Sequence, residues 1–327
     1  MVFKRLLGSL GVGAPTVDTV LDPAPVLPGG ALSGQVHLKG GQADFDIEHI
    51  TLDLVARVEA EHEEGESEGV VVFDRFTVGG GFRLAAEETR SVPFTVALPW
   101  ETPVTELYGQ PLGIVLGVRT ELAVADARDR GDLDQLTVAP LPAQEAVLEA
   151  LGQLGFGFKS ADLEYGHIGG TGQQLPFYQE IELHPAPQYA HQVNEIELTF
   201  LANPAGLEVV LEADKRGGLS FSGHDALTRF TVGHHDTRDW TAEVDGWIRQ
   251  LVEHRSASGH GASFSGHGHH GHAEHHHDDH RHSGPGVGTA IAAGAAGLAV
   301  GVVGGMVAAE VVDEVGDFFE GDDESED

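Results

Sequence analysis

A histidine-rich tract near the C-terminal end of the chain contains the residues that most directly suggest chemistry. It reads HGHHGHAEHHHDDHRH from residue 267 to 282, so nine of its sixteen residues are histidine. The nine are His267, His269, His270, His272, His275, His276, His277, His280 and His282. Imidazole nitrogens bind Zn, Ni and Cu well, and Glu274, Asp278 and Asp279 add carboxylate ligands. The tract therefore predicts affinity for these metals.

The composition of this tract leaves its use in the cell open. Because it is rich in Gly, Ser and His, it cannot bury a core, and we expect a disordered spacer. Such a spacer binds Zn, Ni or Cu in many geometries, either adventitiously or as a regulatory ligand, and we expect no cofactor elsewhere. Lowering the pH through about 6.5 would also charge its imidazoles. A solubilising tether, a metal or pH sensor and a partner contact remain alternatives.

An uncharged segment at 287–309 follows the tract and is long enough to cross a bilayer. Its Gly and Ala content contributes little transfer energy, and Gly297, Gly301 and Gly305 recur every four residues, which favours close helix packing over membrane insertion. Self-association through this glycine stripe is one outcome of such packing. The acidic end that follows carries Phe318 and Phe319, which suit docking on a basic partner.

Motifs of catalysis do not occur in the sequence. There is no G-x-S-x-G elbow, no G-x-x-x-x-G-K-[ST] loop and no H-E-x-x-H helix. The GGG at 79–81 lacks the following lysine of a phosphate loop, and we interpret it as a turn. The sequence thus predicts that the protein is not an enzyme, with no catalytic or cofactor-binding residues.

Two short stretches are candidates for contact with partners. Tyr165 and His167 begin a glycine-rich loop, and exposed loops often bind other proteins. Lys215 and Arg216 form a basic pair on a predicted hairpin turn, which either recognises an anion or is simply solvated. The HHD at 234–236 is interpreted as a polar surface loop.

The charge of the chain limits the classes of partner. Its formal net charge is -34 at pH 7, spread over the whole length, and no basic patch is present for a phosphate backbone. Nucleic acid is therefore excluded, a membrane is not favoured, and proteins with basic surfaces are expected. Cysteine is absent, and the N-terminus lacks a signal-peptide pattern, so we expect a cytoplasmic protein.

Period-two alternation predicts strands in the body of the chain. Ile50, Leu52, Leu54, Ala56 and Val58 share one face, with Asp53, Arg57 and Glu59 on the other. Similar runs follow at 92–98, 112–124, 177–183, 196–200 and 207–211, with turn signals between them. Each run is half buried, so its polar face is the solvent-facing one. This pattern is typical of antiparallel sandwiches.

Helices are expected only at a few places. Residues 1–10 and 145–154 have short apolar stripes, and the stripe at 240–251 follows Asp239, a good N-cap. We predict an all-β fold of two consecutive antiparallel β-sandwiches with short helices at the N-terminus and after the second sandwich, and a flexible tail with one helix. The predicted units are 1–130, 131–254, a His-rich linker 255–285 and a Gly/Ala-rich helix with an acidic tail 286–327, with the polar stretch 126–142 as the inter-domain connection.

The two-sandwich layout is arrestin-like, and particular stretches resemble the bacterial sporulation-control protein M (SpoOM-type) family. They are MVFKRLLGSLGVGAPTVDT at the start, ADLEYGHIGGTGQQLPFYQEIEL at 161–183, LEVVLEADKRGG at 207–218 and DWTAEVDGWIRQ at 239–250. The resemblance covers about residues 1–254. It implies a non-enzymatic regulator of sporulation, development or stress responses that acts through protein contacts, and it carries no active-site residues. The histidine tract is a departure from shorter members.

Overall fold

The computed structural model describes residues 13–62, 65–125, 129–213 and 227–259. The strands are β1 Thr16–Leu21, β2 Ala31–Lys39, β3 Phe45–His62, β4 Gly65–Leu84, β5 Thr89–Ala97, β6 Glu106–Leu107, β7 Gln110–Pro111, β8 Leu116–Val124, β9 Arg130–Gln135, β10 Gly157–Tyr165, β11 Phe177–His184, β12 Ile196–Asn203, β13 Gly206–Ala213 and β14 Thr228–Val232. The helices are α1 Pro142–Leu154 and α2 Trp240–Gly259. The predicted all-β class is confirmed. The predicted N-terminal helix lies outside the described residues.

Strand β3 connects the two halves of the fold. Its whole length pairs with β4, while its other edge pairs first with β8 and then, in parallel, with β10 at Glu59 and Glu164. The resulting nine-stranded sheet runs β14-β13-β12-β11-β10-β3-β8-β9, with β4 beside β3. A second sheet contains β1, β2 and β5, all antiparallel. One sheet therefore extends through both halves of the body.

Two apolar cores lie on this framework. The first lies between the β1-β2-β5 sheet and strands β3, β4 and β8, and it includes Val36, Leu52 and Leu116 together with Phe177 from the second half. The second lies on the β11–β14 face and includes side chains of both helices, namely Val147, Leu151 and Ile248. Burial of these side chains is the main stabilising contribution, at roughly 25 cal/mol for each Å² of apolar surface removed from water.

In the described residues, helices α1 and α2 form the layer that covers the core-facing side of β11–β14, and they pack against each other. The apolar stripes of the two helices supply buried surface to this face of the sheet. The sandwich arrangement of the second half stays a prediction. The predicted domain boundaries at 130 and 254 remain predictions.

Both helices have capping residues that can be identified in the sequence. Helix α1 begins at Pro142, and the Gln144 side chain accepts a hydrogen bond from the Leu141 N–H at 2.8 Å. It ends at Leu154 and is capped by Gly155, whose φ of 94° is left-handed. In α2 the Asp239 carboxylate accepts a hydrogen bond from the Ala242 N–H at 3.1 Å, so the predicted N-cap is confirmed.

The tryptophans of α2 anchor it to the sheet. Trp247 is buried and stacks on Phe230 of β14, with ring centroids 4.7 Å apart. Trp240 meets the edge of Trp247 at 6.4 Å. Aromatic pairs of this kind add about 1 kcal/mol beyond their buried area. The amphipathic helix predicted at 240–251 is therefore confirmed.

Three local features differ from the expected structure. Part of the predicted connection 126–142 is strand β9, which pairs with β8, because backbone pairing does not require an apolar run. The GGG at 79–81 lies inside β4 and not in a turn. There a side chain at Gly80 would come within 2.3 Å of the Glu48 carbonyl oxygen, so only glycine fits.

Asp53 is the third difference, because it was expected on a solvent-facing side of β3. Its side chain is 1% exposed, and its carboxylate accepts hydrogen bonds from Arg75 of β4 and Arg119 of β8. Both arginines lie directly opposite Asp53 in the strand register. The apolar alternation of β3 is confirmed, since the residues at 50, 52, 54, 56 and 58 are all buried.

Candidate interaction surface

The predicted contact residue Tyr165 directly precedes the turn between β10 and β11, and His167 lies within that turn. Tyr165 is the last residue of β10 and pairs with Phe177, the first residue of β11. Phe177 is buried in the first core, whereas Tyr165 is 48% exposed. His167 is also exposed. We call residues 166–176 the β10–β11 loop.

The side chain of Gln173 determines the shape of this loop. Its Oε1 accepts a hydrogen bond from the Ile168 N–H at 2.9 Å, and its Nε2 donates to the carbonyl oxygens of Gly166 and Leu175, each at 2.8 Å. Thr171 adds a hydrogen bond from its hydroxyl to the Ile168 carbonyl at 2.7 Å. These bonds satisfy loop backbone groups internally, so the loop has a defined conformation although it is exposed.

Glu101 attaches the loop to the first half of the chain. Its carboxylate accepts hydrogen bonds from the N–H groups of Gln174 and Leu175, both at 2.8 Å. Sequence reasoning missed Glu101, because the contact spans more than seventy residues and a lone glutamate before a Thr-Pro step has no recognisable pattern.

Residues next to Glu101 make two further contacts with the second half. The rings of Trp100 and His234 lie against each other at an angle of 32°, with centroids 4.9 Å apart. The Gln179 side chain bonds both backbone groups of Val104. We call residues 100–104 the joint segment. The HHD stretch at 234–236 was predicted as a surface loop, and its His234 ring contacts the joint segment. In the same stretch the Asp236 carboxylate accepts hydrogen bonds from the Gly233 N–H and from Arg238.

Carboxylates cover the face of β10–β13 beside the loop. The strand register places Asp162 opposite Glu180, and it aligns Glu182, Glu197 and Glu212 in one row across three strands. Glu164, two residues after Asp162, lies on the same side of β10. A cavity of about 170 Å³ opens there, with residues 168 and 169 of the loop at its margin.

The electrostatics of this face follow from the crowding of like charges. Burial, and then the charges of Glu197, Asp162, Glu164 and Glu212, raise the pKa of Glu180 to about 9. Burial also raises the pKa of the Tyr178 hydroxyl. Glu180 is therefore protonated at neutral pH, which removes one negative charge from the cluster.

Three of these groups have the chemistry of a hard-cation site. Ligand oxygens of Asp162, Glu164 and Glu180 all lie within 4.8 Å of one another. Carboxylates at such separations are ligands for Ca²⁺ or Mg²⁺, although a cation would first have to displace the proton of Glu180. Acidic residues at alternate positions of β10 and β11 could have predicted this cluster from the sequence.

The other predicted site residues lie outside the described residues. They are the nine histidines of the tract at 267–282, the basic pair Lys215 and Arg216, the glycine stripe Gly297, Gly301 and Gly305, and Phe318 and Phe319. In the part of the chain that the structure describes, no helix has the length and apolarity needed to cross a membrane.

Comparison with known proteins gives a consistent result. The family model described as SpoOM protein matches residues 3–217. The sporulation-control protein spo0M of Bacillus subtilis (strain 168) is 37% identical over 259 residues, which cover 77% of this chain and 97% of that protein. The crystal structure of Spo0M from Bacillus subtilis is similar with a TM-score of 0.63 at 30% identity, covering 74% of this chain and 99% of that one. The resembling stretches at the start, at 161–183 and at 207–218 fall inside or overlap the matched region. The chain therefore belongs to the SpoOM protein family.

Proposed function

We propose that the protein is a cytoplasmic, sporulation-related regulator that binds protein partners as an arrestin-like scaffold and performs no chemical turnover. The similarity to a sporulation-control protein supports the biological role. The surface around the β10–β11 loop supports the mode of action.

The observation that carries this proposal is an exposed loop held in one shape. Gln173 bonds it internally, Glu101 bonds it to the joint segment, and Arg229 donates to the Gly170 carbonyl. A loop that is ordered before binding loses less conformational entropy when a partner arrives. Tyr165, the strand residue directly before the loop, is exposed, and exposed tyrosines are frequent anchors of protein interfaces.

The negative charge of this chain favours a partner with a basic surface. The chain carries a net charge of -34, and the acidic face of β10–β13 borders the loop. A partner with a basic surface would associate faster and in a preferred orientation.

The test compares two exposed aromatic positions on the same strand. We expect the double variant Tyr165→Ala/His167→Ala to lose capture of its specific partner from sporulating cells, and to reproduce the sporulation phenotype of a gene deletion. Phe158→Ala is the matched control, because Phe158 is 49% exposed at the opposite end of β10.

Both variants should unfold at the denaturant concentration of the parent, since the three side chains are exposed. If the double variant captures the same partner and sporulates like the parent, the loop is not the binding surface and the proposal fails.

A further inference from the structure

A separate cavity lies between β1 and the end of β9. It has a volume of about 450 Å³ and is lined by residues 18–24, 26, 32 and 134–137. At the β1 end of the lining the Thr19 N–H donates to Asp132 at 2.6 Å, and near its other end the Val26 N–H donates to the Thr137 carbonyl at 3.1 Å. We call it the β1–β9 cavity. Its size lies within the range of ligand-binding pockets.

The lining of this cavity combines carboxylates with apolar walls. Asp18 and Asp22 line it from the β1 side, and Asp134 from β9. Leu32 and Leu136, both buried, supply apolar surface. Among the described lining residues there is no lysine or arginine, so the cavity has negative charge without a lining counter-charge.

Asp134 is the lining group best suited to receive a cationic ligand. Its Oδ2 is buried and has no hydrogen-bond partner among the described residues. Burial, and then the charges of Asp132 and Asp18, raise the pKa of Asp134 to about 7. A buried carboxylate oxygen without a partner is costly, and a guanidinium bound at the accessible part of the Asp134 carboxyl would compensate its charge.

The strands beside the cavity are end strands of their sheets. Strand β1 is an end strand of the three-stranded sheet and β9 an end strand of the nine-stranded sheet, within the described residues. The two strands lie next to each other, and the Asp132 carboxylate of β9 accepts a hydrogen bond from the Thr19 N–H of β1. A partner segment would therefore lie across the mouth of the cavity, with one side chain entering it.

We propose that the β1–β9 cavity binds an arginine side chain from an extended basic segment of a partner protein. The guanidinium would bond Asp134, and its aliphatic stem would lie against Leu32 and Leu136. This inference rests on the proposed function in one respect, namely that the ligand belongs to a protein partner.

The test uses the full-length protein and a fluorescein-labelled peptide of alternating valine and arginine, at about 0.15 M salt. Fluorescence anisotropy measures its Kd. A second peptide with citrulline in place of arginine has the same shape without the charge. We expect the arginine peptide to bind at least about tenfold more tightly than the citrulline peptide.

Two variants locate the binding site. Asp134→Asn removes the charge, and Ala24→Trp fills the cavity with no change of charge; each should weaken binding of the arginine peptide at least about tenfold. Glu253→Gln is the control, because it removes one negative charge on the exposed side of α2.

Binding that survives both cavity variants, or that falls equally in Glu253→Gln, would overturn the proposal and indicate general attraction to an acidic chain. A different result also overturns it: if Asp134→Asn has no effect on the peptide but promotes self-association, the charge only protects the β9 edge. Tyr165→Ala/His167→Ala should bind the peptide normally, so failure here is distinguishable from failure of the loop proposal.

Discussion

The side-chain amide of Gln179 bonds both backbone groups of Val104, in the way that one strand pairs with another. Its Oε1 accepts from the Val104 N–H at 2.9 Å and its Nε2 donates to the Val104 carbonyl at 2.8 Å, across seventy-five residues of sequence. The joint segment is thereby attached to β11 without being a strand of its sheet. We infer that this pair contributes to the coupling of the two halves.

Replacing Gln179 should measure that coupling. We expect Gln179→Leu to lower the free energy of unfolding by about 2 kcal/mol, because two backbone groups lose their partners. Urea unfolding measures the change. Gln250→Leu is a control at an exposed position of α2 and should stay within about 0.5 kcal/mol of the parent. Equal stability of the two variants would show that water replaces the Val104 contacts at no cost.

The ion pairs of Asp53 should differ in energy according to exposure. Arg119 is 18% exposed and Arg75 is 58% exposed. Removing Arg119 leaves the buried Asp53 carboxylate with only the more exposed arginine, so we expect Arg119→Ala to cost about 3 kcal/mol in unfolding free energy. Arg75→Ala should cost under about 1 kcal/mol, because water screens that pair. A double-mutant cycle between positions 53 and 119 measures the coupling, and a coupling near zero would contradict this ranking.

Glu180 should make the stability decrease as the pH rises. Its pKa in the folded chain is about 9, against an ordinary value of 4.5. Between these values the folded chain retains a proton that the unfolded chain has lost, so the free energy of unfolding falls with increasing pH. Glu180→Gln removes this dependence, and we expect it to stabilise the protein at pH 8 by about 2 kcal/mol, with little effect at pH 4.

Asp162 and Glu164 of β10, Glu197 of β12 and Glu212 of β13 supply the surrounding charge, after burial as the larger cause. The measurement is a urea titration at several pH values. Glu253→Gln, on the exposed side of α2, should leave the pH profile unchanged. A Glu180→Gln profile parallel to that of the parent would show that Glu180 titrates normally.

Alternation in the sequence predicts the strands well but not their neighbours. Buried apolar residues at every second position identify β3, since only a strand places them on one face. The same alternation assigns Asp53 to solvent, because it contains no information about arginines on β4 and β8. Burial of Asp53 depends on a register that forms only when three strands meet.

Contacts between distant segments explain what else the sequence did not predict. Strand β9 has no apolar alternation, and its pairing is provided by β8. The loop at Tyr165 could be predicted as exposed, but its support by Glu101 could not, because that bond depends on the docking of the joint segment. Tertiary placement, and not local propensity, determines these features.

The histidine tract should act independently of the described body. Helix α2 closes the second core with Leu251 and Val252, and the last described residue is Gly259. We therefore expect deletion of residues 260–283 to leave the urea midpoint unchanged and to abolish binding of Zn, Ni or Cu measured by calorimetry. A variant with the nine histidines changed to serine is the matched control for length. If that variant loses metal binding but retains the sporulation function, metal binding is incidental; if function is lost with the fold intact, the metal-sensing alternative gains support, because imidazole is the only group removed.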